Sequence, residues 1–248
     1  MVAQVYSPAE PRAAKKLNKY YIDKAMHYPQ SSLENKTGGK VIVGFTVDER
    51  GESKDFIIIN GLDKALDAEA IRLSKNIRWK PALVNGRTAS SRAELEIEFN
   101  PKHYLKHHEK EGCPQSHVRA NADTSGLIYT FALVDVQPKP LIDERFKNLG
   151  HYISEILEYP EAAKAAGIQG TVRLVFVVET DGLASNIEIL HSVGGGCDQE
   201  AIRILQTVCW EPGSFHELKV RTEYQLDVTF KLSDKKQQNI PNRQSGNL

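Results

Sequence analysis

A repeat limits what this chain can fold into more than any other feature. Tyr159-Pro160, Gly170, Val172, Phe176, Gly182, Asp198, Glu200-Ala201-Ile202-Arg203, Trp210, Pro212 and Phe230 recur at a constant offset of 131. Their counterparts are Tyr28-Pro29, Gly39, Val41, Phe45, Gly51, Asp67, Glu69-Ala70-Ile71-Arg72, Trp79, Pro81 and Phe99. Tyr152-Ile153 falls likewise on Tyr21-Ile22, and no insertion is needed across the span. A length of 248 residues allows one or two domains, and an ungapped repeat of this size means two tandem copies of one unit.

Each piece of the unit has a local reading. Pro160 suits the first position of a helix, where its missing N–H would be unpaired anyway. Gly167 suits a left-handed stop. Residues 171–178 are β-branched and aromatic and too short for a typical helix, so they read as a strand. Asp181-Gly182 signals a hairpin, with the return strand over 186–190. Gly194-Gly195-Gly196 reads as a loop, and Asp198 is expected to cap a helix over 199–208. Residues 224–232 make the last strand, with Leu226, Val228 and Phe230 on one face. Copy one repeats the pattern, with strands over 40–47, 55–59 and 93–99 and a helix from Asp67 to Ile77. Short helices lead each copy, from Leu17 and over 145–157. The unbroken run Phe56-Ile57-Ile58-Ile59 predicts burial on both faces or an interface. Residues 128–136 are β-like and fit to extend a sheet.

The expected class is therefore α+β: two tandem domains, each a three-stranded antiparallel sheet with two helices. The expected boundaries are 1–101 for copy one, 102–127 for a polar linker and 128–232 for copy two. Residues 233–248 lack core formers and read as a disordered tail.

Composition removes several function classes. Lys plus Arg equals Asp plus Glu at 32 each, so no basic surface argues for nucleic acid as a partner. No run of about 18 apolar residues predicts a membrane span. The first residues, Met-Val-Ala-Gln-Val-Tyr-Ser-Pro, have neither the basic nor the apolar part of a signal peptide. Of the three cysteines, Cys113, Cys197 and Cys209, the last two flank one helix and lie too far apart to pair, so free thiols are expected. His103 and His107 have the i, i+4 spacing of metal ligands. Without a paired Cys-x-x-Cys they read as part of a solvated linker, and no metal or cofactor is expected. There is no Gly-x-Ser-x-Gly and no His-Glu-x-x-His, and the Gly194–196 loop lacks the Lys and Ser of a phosphate cradle. Asp198 and Glu200 read as helix-dipole partners rather than an acid/base pair. Trp79 and Trp210 read as core anchors, and no catalytic residue is expected.

One resemblance carries the functional reading. Tyr159-Pro160, Ala163, Gly167, Gly170, Asp181-Gly182, Asp198, Glu200-Ala201, Trp210, Pro212 and Phe230 fall at the spacings of the TonB C-terminal domain. The whole of residues 159–232 resembles that family, whose founding member is the periplasmic energy transducer of outer-membrane transport. The resemblance implies a non-enzymatic module whose last strand is an open edge. In the family that edge captures an extended segment, the TonB box, of an outer-membrane transporter, and residues just before the Tyr-Pro step also touch the receptor. By position, the implied sites in copy two are Glu158, Tyr159 and residues 221–229, including Arg221, Glu223, Gln225, Asp227 and Thr229. In copy one they are His27, Tyr28 and residues 90–98, including Arg92, Glu94 and Glu96. Packing ahead of the helix competes equally with binding as the role of Tyr28 and Tyr159. The implied location is the periplasm, and the implied partners are TonB-dependent outer-membrane transporters. Inner-membrane motor proteins join them only if an anchor lies upstream, since the family's membrane anchor and Pro-rich spacer are not in this sequence. An unanchored adaptor, which binds but cannot pull, and self-association through edge strands are the alternatives.

Overall fold

The computed structural model describes residues 5–108 and 121–232. The expected tail over 233–248 lies outside them, as do Cys113 and His117 of the expected linker. Copy one runs through α1 (Lys15–Ala25), α2 (Gln30–Glu34), β1 (Gly39–Val47), β2 (Ser53–Asn60), α3 (Lys64–Lys75) and β3 (Ser91–Phe99). Helix α4 (Pro101–His108) takes up the start of the expected linker, and β4 (Ile128–Thr130) follows its end. Copy two runs through α5 (Leu149–Ile156), α6 (Glu161–Ala165), β5 (Gly170–Val178), β6 (Ala184–His191), α7 (Cys197–Thr207) and β7 (Arg221–Phe230).

The two sheets share an antiparallel plan, β2-β1-β3 in copy one and β6-β5-β7 in copy two. The first strand of each unit is therefore central. Its alternate residues point one way, as a pleat requires: Val41, Val43, Phe45 and Val47 in β1, Val172, Leu174, Phe176 and Val178 in β5. All are buried under α3 or α7, whose Leu66, Ala70 and Leu73, or Ala201, Ile204 and Leu205, face the sheet. Each large side chain buried in this way contributes roughly 1.5–3 kcal/mol. Trp79 lies 5.0 Å from the Phe45 ring and Trp210 5.3 Å from Phe176, so both tryptophans are core residues.

The hairpin glycines have a second reason to be glycine. Gly51 and Gly182 take φ of +85° and +81°, and a Cβ there would stand 2.3 Å from the carbonyl oxygen of Trp79 or Trp210. The turn is pressed onto the backbone of the tryptophan, and only a residue without Cβ fits.

Several local expectations are corrected. Asp67 and Asp198 are not N-caps. Asp63 caps α3 through the amides of Ala65 and Leu66, and α7 starts from Gly196 in the left-handed region. Asp67 instead accepts from Leu62 N (3.0 Å), and Asp198 from Val193 N and Ser192 Oγ, so both brace the loop entering the helix. The helices begin earlier than the apolar periodicity suggested, which moves these carboxylates into the first turn. Cys209 is disulfide-bonded, while Cys197 is a buried free thiol. Excluding a Cys197–Cys209 pair was not enough to make Cys209 free. In the run 56–59, Phe56 and Ile58 turn toward the core, whereas Ile57 and Ile59 are 59% and 51% exposed. Helices cover one face of the sheet only, so alternate residues of the run face outward over Gly44.

The copies touch. Helix α1 packs against β6, with Leu17 against the core of copy two. Tyr20 donates its hydroxyl to Gln206 O (3.1 Å). Asn186, at φ +50°, donates to Asn76 O (2.8 Å) and accepts from Arg78 N (2.7 Å). Arg78 also pairs with Glu223 at 2.9 Å.

Candidate functional site

The last strands differ in what lies beyond them. Among the described residues β3 ends its sheet, so its outer N–H and C=O groups have no strand partner over Ser91–Phe99. Strand β7 does not end its sheet: β4 adds beside it in parallel, with Arg221, Thr222 and Glu223 opposite Ile128, Tyr129 and Thr130. Copy two is thus four-stranded. The β-like residues 128–136 extend a sheet as expected, but only over β4, and on the edge that the resemblance reserves for a partner.

The segment around β4 is tied down along its length. Lys219 N donates to Asn121 O (2.7 Å) and Asp123 N to Lys219 O (2.8 Å). Phe131 stands edge-on to Tyr224 at 5.3 Å, and Tyr129 lies 5.2 Å from Phe215. Val136 N and Ser214 O close the stretch at 3.2 Å.

Arg221 is at the centre of this arrangement. Only 7% exposed, it donates from Nε and Nη2 to the Glu179 carboxylate (2.8 Å each), from Nη1 to Gly126 O (3.0 Å) and from Nη2 to Asn76 O (2.8 Å). It joins the end of β5, the approach to β4 and copy one. Its side chain therefore faces inward and is not presented to a partner. Glu223 is half-buried and paired with Arg78.

The remaining implied site positions on β7, Gln225, Asp227 and Thr229, face solvent. Gln225 is exposed. Asp227 takes both nitrogens of a fork from Arg173 at 2.8 Å, and this hydrogen bonding holds its carboxyl below the usual range. Thr229 shares a hydroxyl hydrogen bond with Thr171 (3.0 Å). On β3 the outward row is Arg92, Glu94, Glu96 and Glu98. Glu96 pairs with Lys40 at 2.8 Å, and that hydrogen bond raises the lysine's pKa. Past Glu98 the edge runs out over a hollow of about 600 Å³ lined by Leu33, Phe99, Leu105, Lys36 and Lys102.

The residues ahead of the Tyr-Pro step are held alike in both copies. His27 N donates to Glu69 (2.7 Å) and Glu158 N to Glu200 (2.7 Å). Arg72 binds Glu69 and reaches Ala25 O (2.7 Å); Arg203 binds Glu200 and reaches Ile156 O (2.8 Å). Burial pushes the Glu200 carboxyl up, but the donors Arg203 and Glu158 N outweigh it and hold the pKa below its ordinary value. Sequence reasoning placed Glu200 on the helix dipole and missed this clamp; the recurrence of Glu-x-x-Arg was its signal. Tyr28 and Tyr159 pack edge-on against Phe99 and Phe230 at 5.8 and 5.6 Å. Their hydroxyls donate to the main-chain oxygens of Thr37 and Ile168. Tyr28 is buried, Tyr159 and His27 half-buried, and Glu158 exposed.

The sequence profile described as Gram-negative bacterial TonB protein C-terminal matches twice, over residues 24–101 and 156–232. The chain belongs to the TonB C-terminal family. Both matched segments span the Tyr-Pro step to the last strand, so the TonB C-terminal unit is present in tandem. Family members are periplasmic protein-interaction domains that engage outer-membrane transporters in general. Among solved structures, the TonB C-terminal domain of Pseudomonas aeruginosa is 25% identical, covering 40% of this chain and 89% of its own, with a TM-score of 0.30. That of Helicobacter pylori is 19% identical, covering 34% and 89%, with a TM-score of 0.28. No curated protein matches the chain.

Among the described residues, no group of three or more His, Cys, Asp or Glu is placed to hold a metal. No helix of the described residues is long and apolar enough to cross a membrane.

Proposed function

We propose that this chain is a periplasmic TonB-type binding module that docks an extended segment of outer-membrane transporters by strand addition, in support of transport across the outer membrane. The observation that carries the reading is the outer edge of β3, nine residues long and without a strand partner among the described residues. Such an edge offers a row of main-chain donors and acceptors to an extended peptide. At about 3.3 Å per residue it spans roughly 30 Å. The residues proposed to meet the partner on the open edge are Arg92, Glu94 and Glu96 with His27 in copy one; Gln225, Asp227 and Thr229 with Glu158 are the corresponding positions in copy two. Tyr28 and Tyr159 shape the step beside them. The disulfide at Cys209 suits an oxidising compartment.

Proline scanning tests this reading. Proline removes a donor and is tolerated on an edge only where the N–H faces outward. Variants of β3 and β7 are scored for melting and for capture of transporters from an outer-membrane extract. Folded proline variants that lose capture are expected at alternate positions. If every variant that stays folded also keeps capture, neither strand is the docking edge.

A second reading, self-association, is favoured by Ile57 and Ile59, which stand exposed on β2 at the other edge of the copy-one sheet. Monomeric mass at high concentration would remove it.

A further inference from the structure

We infer that β3 of copy one, rather than β7 of copy two, is the strand-accepting edge, and that its partner is an extended segment with basic side chains at alternate positions. The inference rests on the strand-addition reading and goes on to say which copy docks and what chemistry it selects.

The first argument is occupancy. Strand β4 is itself an added strand: three residues of the chain lie along β7 in parallel register. Its anchors at Asn121, Gly126, Asp135 and Val136 hold it on both sides, through Lys219, Arg221, His216 and Ser214. A tethered strand competes at an effective concentration on the order of millimolar. Phe131 and Ala132 then line the hollow beside Glu223, Tyr224 and Gln225. The outer edge of β7 is left clear over residues 226–230. Strand β3 has no such occupant among the described residues and keeps nine positions.

The second argument is charge. A strand added beside β3 places its outward side chains about 5 Å from Glu94, Glu96 and Glu98. Lys40 pairs with Glu96 and also faces Glu98, its cross-strand neighbour. Glu94 has no salt bridge among the described residues, and with Arg92 at its start the row sets three carboxylates against two cations, which leaves a net negative charge. The matching row on β7 is neutral where it is clear: Asp227 is bound by Arg173, and Thr229 by Thr171. Lysine or arginine on every second residue therefore complements β3 and gains little on β7, while acidic residues are repelled from β3.

Two ten-residue peptides test this on the full chain, one alternating lysine with valine and the other glutamate with valine. Binding is followed by calorimetry and by amide hydrogen exchange. The lysine peptide should bind once per chain, protect residues 91–99, and bind about tenfold more tightly than the glutamate peptide. Glu94→Lys with Glu98→Lys should reverse that preference without loss of fold, since both side chains are exposed. Replacing Ile128, Tyr129 and Thr130 with proline, which removes their main-chain donors, should raise the stoichiometry from one to two. Protection over 224–230 instead, or two peptides per unaltered chain, would overturn the inference and leave strand addition standing. Equal affinity for both peptides would overturn the charge argument. Absence of protection on either strand would overturn this inference and the strand-addition reading together.

Discussion

Arg221→Ala removes the cation from the most heavily buried ion pair among the described residues. Glu179 is 1% exposed, and after the substitution its carboxylate keeps, among the described residues, only the Ser185 hydroxyl as a side-chain partner. Breaking a buried pair by deleting one partner costs about 3–5 kcal/mol, because the remaining charge is neither solvated nor paired. Two more hydrogen bonds go with it, those to Asn76 O and Gly126 O. The expected loss is thus about 4–6 kcal/mol, a large share of the 5–15 kcal/mol typical of a folded domain. Urea denaturation followed by circular dichroism measures it. Arg221→Met combined with Glu179→Leu should recover much of the loss, since apolar replacement of a whole buried pair is often neutral. The recovered variant should still show faster hydrogen exchange at residues 126–130, because Gly126 loses its donor in either case. A loss below about 1 kcal/mol for Arg221→Ala would refute the reasoning. It would mean that Glu179 finds water or another donor and that the buried network does not hold the copies together.

Other predictions follow from single sites. Gly182→Ala brings a Cβ to 2.3 Å from Trp210 O at φ +81°, whereas Gly86→Ala at φ +78° meets nothing within 4 Å. The second should cost about 1 kcal/mol of backbone strain and the first at least twice that; equal shifts in denaturation midpoint would show that the turn relaxes. The Glu200 pKa is depressed in the fold, so its stabilisation is present above the unfolded value of about 4.3 and is lost as pH falls through the lower folded value. An acid titration of stability should therefore be shallower for Glu200→Gln below about pH 4.3, and an unchanged slope would count against the clamp. Ile57→Lys with Ile59→Lys should leave stability within about 0.5 kcal/mol, both side chains being exposed, and should lower any concentration-dependent mass in sedimentation; a large destabilisation would mean the isoleucines pack more than their exposure implies.

The sequence by itself determined the unit and its duplication. Val41, Val43 and Phe45 alternate, Val172, Leu174 and Phe176 alternate with them, and a pleat translates that period into one buried face without reference to anything distant. The turn glycines and the tryptophans were legible for a similar reason: each answers a local steric or volume demand, and the repeat stated each demand twice. The helix starts were less legible. Asp67 and Asp198 look like caps, but a carboxylate near a helix start serves whichever amide the chain brings within reach, and those of Leu62 and Val193 come from the preceding loop.

What only the tertiary structure decided is non-local. Nothing in Ile128-Tyr129-Thr130 says that it lies parallel to residues more than ninety positions on, because strand pairing uses main-chain groups that every residue carries. Arg221 reads as an exposed edge residue in an alternating strand, yet it is buried, because Glu179, Gly126 and Asn76 converge on it from three separate parts of the chain. The two copies of one sequence pattern thus end with different edges. The pattern specifies the sheet, and the segment that packs beside the sheet decides which edge remains open.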